Sequence, residues 1–132
     1  MSEETVESSR RVWDLFMAGD IPGVLAFLDP AIEVHDAPEL PDASVYHGPE
    51  GWLAQIEKFR DVAEEITYRP LEFIDCGDKV VDVIEAESAG RMSGVSGTWT
   101  YAQVDTWRDG KVVRIQYFSS REAALDAAGS PG

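Results

Sequence analysis

The chain has 132 residues, 44 % of them apolar, which suits one domain built around one core. Its 25 acidic residues against 11 basic ones leave a formal net charge of -14, which argues against nucleic acid and anionic membranes as partners, because phosphate binding rests on clustered Lys and Arg. A single cysteine, Cys76 in the turn-like stretch Asp75-Cys76-Gly77-Asp78, excludes an intrachain disulfide and a cysteine-based zinc site and reads as an incidental thiol.

The opening MSEETVESSR is polar and acidic, unlike an export signal. No apolar run approaches the ~18 residues of a membrane span, so the expected location is the cytoplasm. Residues 3–18 read as a helix, with Val6, Trp13 and Phe16 near helical spacing, and Gly19-Asp20 breaks it. A second, short helix is predicted from Ile21, Val24, Leu25 and Leu28 at i, i+3, i+4, i+7; Pro22 suits its first turn and Asp29-Pro30 ends it. In AIEVHDAPELP, residues 31–41, Ile32 and Val34 alternate as in a half-buried strand, which places Asp36 on the same face and Glu33 and His35 on the other. The loop PELPDASVYHG closes on Gly48-Pro49, the entry to a third helix over about 49–65, whose apolar stripe is Trp52, Ile56, Phe59 and Val62 or Ala63.

Past residue 65 the hydrophobic period drops to two. Residues 66–75, 79–90, 97–107 and 111–119 read as four long strands, joined by Cys76-Gly77-Asp78, a Gly/Ser-rich stretch and Arg108-Asp109-Gly110. Long strands with short links imply an antiparallel meander. A last short helix over 121–128 stops at Gly129. Helices followed by a run of strands give an α+β fold, a single domain over residues 1–132, with the amino-terminal helices on the concave face of a curved antiparallel sheet and a cavity between the two layers.

Two places in this pattern carry chemistry. The alternation aims Asp36 where a core should lie; either the strand ends at His35 and Asp36 is solvated at the Ala37-Pro38 turn, or a partly desolvated carboxylate stands at the mouth of an apolar pocket as a usable general base. In TWTYAQVDTW, Trp99, Tyr101, Gln103, Asp105 and Trp107 share one face, which suits either a pocket wall or an outer contact surface. On the last strand Val113, Ile115 and Tyr117 alternate with Val112, Arg114, Gln116 and Phe118, and Tyr117 is placed either to donate to a ligand oxygen or to sit in the core. In VVDVIEAE, alternation sets Asp82 against Glu85 without saying which faces inward. The two histidines, His35 and His47, lack metal-ligand spacing, and neither a phosphate-binding glycine loop nor a GxSxG elbow occurs.

Three stretches, AGDIPGVLAFLDPAIEVHDAP, YHGPEGWLAQIEKF and VDTWRDGKVVRIQYFSSREAALDAAG, resemble the NTF2-like (cystatin-like) superfamily, and the last is especially similar to bacterial SnoaL-like domains. The resemblance covers nearly the whole chain and implies the cone-shaped fold of steroid delta-isomerases and polyketide cyclases. With Gly19-Asp20 set on that family's Gly-Asp turn, Asp36 meets the isomerase's catalytic aspartate, and Gln103 falls where its oxyanion-holding aspartate stands. The isomerase's oxyanion tyrosine falls at Val12, a departure from the pattern. What the resemblance implies is therefore a cofactor-free, metal-free acid/base isomerase or cyclase for a small apolar or carbonyl-containing ligand. Asp36, Gln103 and Tyr117 would form its catalytic set. Trp13, Phe16, Trp52, Ile56, Phe59, Trp99, Tyr101, Asp105 and Ile115 would form its pocket. The alternative is a non-catalytic ligand-binding or dimerisation module, and a homodimer is expected on either reading.

Overall fold

The computed structural model describes residues 2–62, 66–88 and 97–129; of residues 2 and 59–62 it describes only the backbone. Helix α1 (Ser2–Met17) and the short α2 (Ile21–Leu25) lead into β1 (Leu28–His35), β2 (Val45–His47) and α3 (Gly48–Val62). Strands β3 (Ile66–Cys76), β4 (Lys79–Ser88), β5 (Gly97–Arg108) and β6 (Lys111–Phe118) follow, and α4 (Arg121–Ala128) closes the chain. No described helix is long and apolar enough to cross a membrane.

The sheet is curved, unclosed and ordered β2-β1-β6-β5-β4-β3. The four long strands form the expected antiparallel meander, with Val81 opposite Ile74 on one side and Val104 on the other. The β5–β6 hairpin turns on Asp109 (φ 53°) and Gly110 (φ 77°), the two left-handed residues a tight hairpin needs to match strand twist. Strand β1 does not extend the meander in sequence order; it lies parallel to β6, with Val34 beside Ile115, so the sheet is mixed. Two local readings change. Leu28 belongs to β1 rather than to the second helix, which stops at Leu25, and it is buried beside Val112. The loop after Asp36 contains β2, whose three residues pair with Glu33–His35 but are too few to show an alternation.

The pleat divides the sheet's faces. Val81, Val83, Ala102 and Val104 pack under α4 around the fully buried Ala124. Cys76 is buried in this second layer, where desolvation holds its thiol above the ordinary range. The alternate residues, Asp82, Ile84, Tyr101 and Gln103, face the other way, toward α1 and α3. A register shift at Thr106/Trp107 sets Trp107 opposite Val112, skipping Val113. That bulge puts Val112, not Val113, on the same buried side as Ile115.

Candidate functional site

Between the two layers lies a cavity of about 290 Å³, near the lower end for small-molecule sites. Its helical wall is Val12, Trp13 and Phe16 of α1 with Trp52, Gln55 and Ile56 of α3. Its sheet wall is Trp99, Tyr101, Gln103, Asp105 and Trp107 of β5 with Val112, Ile115 and Tyr117 of β6; Tyr68 of β3 closes one side, and Ala37 and Leu40 belong to the loop that roofs it. The lining is apolar and strongly aromatic. Phe16 stands edge-on to Trp13 at 5.6 Å and to Tyr68 at 5.3 Å between ring centroids, and Tyr101 lies 6.0 Å from Tyr117. The edge-on pairs are an arrangement that ring quadrupoles favour.

The sequence-predicted residues Trp13, Phe16, Trp52, Ile56, Trp99, Tyr101, Gln103, Asp105, Ile115 and Tyr117 all line this one cavity. The side chain of Phe59 lies outside the described residues. Asp36 does not line the cavity. Its side chain is completely buried, as the alternation of β1 demands, but it is directed into a polar network behind Gln55. Oδ2 accepts from Lys58 Nζ at 2.9 Å, Ser44 N–H at 3.2 Å and the Tyr46 hydroxyl at 3.2 Å; Oδ1 faces the Gln55 amide at 3.5 Å. The Lys58 ammonium also reaches Asp42 at 3.3 Å. Bonding to Asp36 first, then to Tyr46, holds the Lys58 ammonium well above its usual range. The network ties α3 to β2 and to the roof loop.

The polar end of the cavity is built on β4, β5 and β6. Asp105, nearly buried, accepts from the Gln103 side-chain N–H at 2.8 Å. Behind it stands Asp82, fully buried, whose Oδ2 accepts from the Trp13 indole N–H at 3.0 Å. Asp82 Oδ1 has no donor. Burial pushes the Asp82 carboxyl well up from its ordinary range, and the Asp105 charge adds to the push. Burial also raises Asp105, but Asp82 beside it and the Gln103 hydrogen bond hold it back. Two facing carboxylates have no hydrogen to share, so ionising both in this buried place is disfavoured. Desolvation raises Tyr101 and Tyr117 too, so both hydroxyls stay protonated and able to donate.

Sequence reasoning left Asp82 undecided and did not find Lys58, Tyr46, Gln55 or Tyr68. Glu85 faces the other way and pairs with Arg69 at 2.9 Å, which settles the β4 alternative in favour of Asp82. Tyr68 hid because the register of β3 shifts between Pro70 and Glu72, which breaks the alternation on which its reading depends.

The chain matches the model of a family described as the SnoaL-like domain over residues 9–115. It is also similar to solved structures. TerC, co-crystallized with polyporic acid, is 23 % identical with a TM-score of 0.75, over 96 % of this chain and 98 % of that one. Bal32a, from a soil-derived mobile gene cassette, is 18 % identical with a TM-score of 0.79, over 96 % of each chain. An NTF2-like protein of Burkholderia thailandensis is 20 % identical with a TM-score of 0.77, over 96 % and 98 %. Likeness at these identities shows a shared fold. No curated protein matches the chain.

Proposed function

The chain belongs to the SnoaL-like domain family, and from that premise we propose that its cavity binds a small, largely apolar, carbonyl-containing molecule and catalyses its isomerisation or cyclisation by acid/base chemistry without a cofactor. The observation that carries this reading is Asp105: a carboxylate on an aromatic wall, beside Gln103 and on the same wall as Tyr117. Asp105 takes a proton from the carbon or hydroxyl next to the ligand carbonyl. Tyr117 and the second N–H of Gln103 stabilise the oxygen on which charge develops. The proton then returns from Asp105 to another position on the same molecule, so the step needs no co-reactant.

On a second reading the base is Asp36, the residue that meets the isomerase aspartate. It is favoured by the way Gln55 both lines the cavity and faces Asp36, so a ligand that displaces Gln55 reaches the carboxylate.

The experiment offers a panel of β,γ-unsaturated cyclic ketones, together with polyporic acid as a hydroxyquinone. Binding is followed by tryptophan fluorescence, and conversion by NMR in D2O as double-bond migration or deuterium uptake next to the carbonyl. For a ketone that reacts, Asp105→Asn should cut the rate at least about a hundredfold while binding persists. The same loss in Asp36→Asn, with Asp105→Asn active, assigns the base to Asp36. Binding across the panel with no conversion returns the protein to the ligand-binding alternative. A homodimer belongs to the same reading, and a monomer in sedimentation velocity at micromolar concentration removes it.

A further inference from the structure

The cavity floor holds a group that the acid/base reading does not require. Asp82 does not line the cavity, yet it is fully buried and one of its oxygens has no donor. A buried carboxylate in that condition carries a large desolvation penalty.

The groups facing it come from every element packed around it. Helix α1 supplies the Trp13 N–H, bonded to Oδ2. Strand β5 supplies Asp105 and Tyr101, and β6 supplies Tyr117; Asp36 acts on Tyr117 only through its charge. Among the described residues, no cation enters this set. The described residues therefore offer no counter-charge for the two carboxylates, and the deficit at Asp82 Oδ1 is met if that oxygen carries a proton and donates it to Asp105.

We propose that Asp82 and Asp105 form a one-proton carboxyl pair at neutral pH, with the proton seated on Asp82 and the single negative charge presented to the cavity by Asp105. Their surroundings choose the seat. Asp105 accepts from Gln103 and reaches the cavity, whereas Asp82 is wholly buried, with Trp13 on one oxygen and no donor on the other. Asp82 is then a positioning residue. Its O–H fixes the Asp105 carboxylate and leaves the remaining acceptor capacity of Asp105 for a ligand. The ligand class follows from this polar end: a molecule with an acidic hydroxyl or C–H for Asp105 and, close by, a carbonyl oxygen for Tyr117, as in an enolisable ketone or a hydroxyquinone. When Asp105 accepts that proton the pair holds two and is neutral, which the apolar surroundings favour. When it gives the proton back the pair returns to one.

The role in turnover rests on the acid/base reading; the shared proton does not, and it is measured without ligand. Infrared difference spectra of the unliganded protein at pH 7 should show the C=O stretch of a buried protonated carboxyl that shifts in D2O. Asp82→Asn, which keeps the shape and a donor toward Asp105, should abolish it. In Asp105→Asn the neighbouring charge is gone, so the remaining Asp82 should ionise at least one pH unit lower. The Trp13 indole ¹⁵N–H resonance reports that ionisation directly. Absence of a protonated carboxyl in the wild type overturns the proposal even if the variants do not fold, and so does a band that survives in folded Asp82→Asn. A band that behaves as expected, with Asp105→Asn still converting substrate, leaves the pair standing and removes Asp105 as the base instead.

Discussion

Lys58→Met tests how the buried Asp36 carboxylate is held. The Asp36 side chain has no exposure, and Lys58 is the one cation bonded to it among the described residues, at 2.9 Å. Removing one partner of a fully buried pair costs about 3–5 kcal/mol, because the other charge is left without compensation. Two features reduce that figure. The Lys58 side chain is 30 % exposed, so water can enter the vacated place. The Ser44 N–H and the Tyr46 hydroxyl still donate to the same oxygen. A loss of about 2–3 kcal/mol remains, a fall in melting temperature on the order of 10 °C for a chain of this size. Urea denaturation should give this as a shifted midpoint with an unchanged slope. Asp36 lifts the lysine above its usual range, so the folded state holds the proton more tightly than the unfolded chain. The stabilisation is therefore complete below the ordinary lysine range near ~10.4 and fades only as pH climbs through the raised value. The gap between wild type and variant should thus be constant from about pH 6 to 9. Asp36→Asn closes a double-mutant cycle, where a coupling of about 1–2 kcal/mol is expected. A Lys58→Met loss below about 0.5 kcal/mol, or no coupling, would show that the pair behaves as a surface contact and that the roof loop is held by other means.

Asp82 makes stability depend on pH with the opposite sign from an ordinary ion-paired carboxylate. Its folded value is raised, so the folded state binds more protons than the unfolded chain, and stability falls as pH rises from near ~3.9 toward the raised value. Asp82→Asn should remove up to about 1.4 kcal/mol per pH unit of that slope, seen in urea midpoints compared between pH 5 and 7; parallel profiles for the two proteins would refute it. Ile84 is completely buried on the same face, and Ile84→Ala should cost about 2–5 kcal/mol by leaving a void that the rigid aromatic wall cannot fill; a loss under 1 kcal/mol would mean the layer collapses freely. Gly110 holds φ 77° in the β5–β6 hairpin, and nothing crowds the place of an added Cβ. Gly110→Ala should therefore cost about 1 kcal/mol from backbone conformation alone, and a neutral result in thermal melts would place the strain elsewhere.

Much of this fold is local and was legible. The turns at Gly19-Asp20 and Asp109-Gly110, the stripe of Trp52 and Ile56, and the two-residue alternation of Tyr101, Gln103 and Asp105 each follow from chain geometry over a few residues. These patterns gave the helices, the meander and the composition of the cavity wall. Where a bulge intervened the pattern misled: Val113 looked like the inward partner of Ile115, and the shift opposite Trp107 gave that place to Val112. Leu28 satisfied a helical spacing but was drawn into β1, because burial beside Val112 outweighs one more turn of a five-residue helix.

The sequence by itself determined that Asp36 shares a face with Ile32 and Val34, and Asp105 with Tyr101 and Gln103, since alternation depends only on the pleat; it left open whether those faces point inward. It did not determine what each would meet. Asp36 met a lysine 22 residues away on α3, and Asp105 met an aspartate on the neighbouring strand. A carboxylate's chemistry is set by the charges and donors within a few ångströms of it, and those arrive from elements far apart in the chain. One inward aspartate is thus tied to a cation behind the wall and the other faces an acid at the cavity floor, a difference that only the packing of α3 and β4 against the sheet decided.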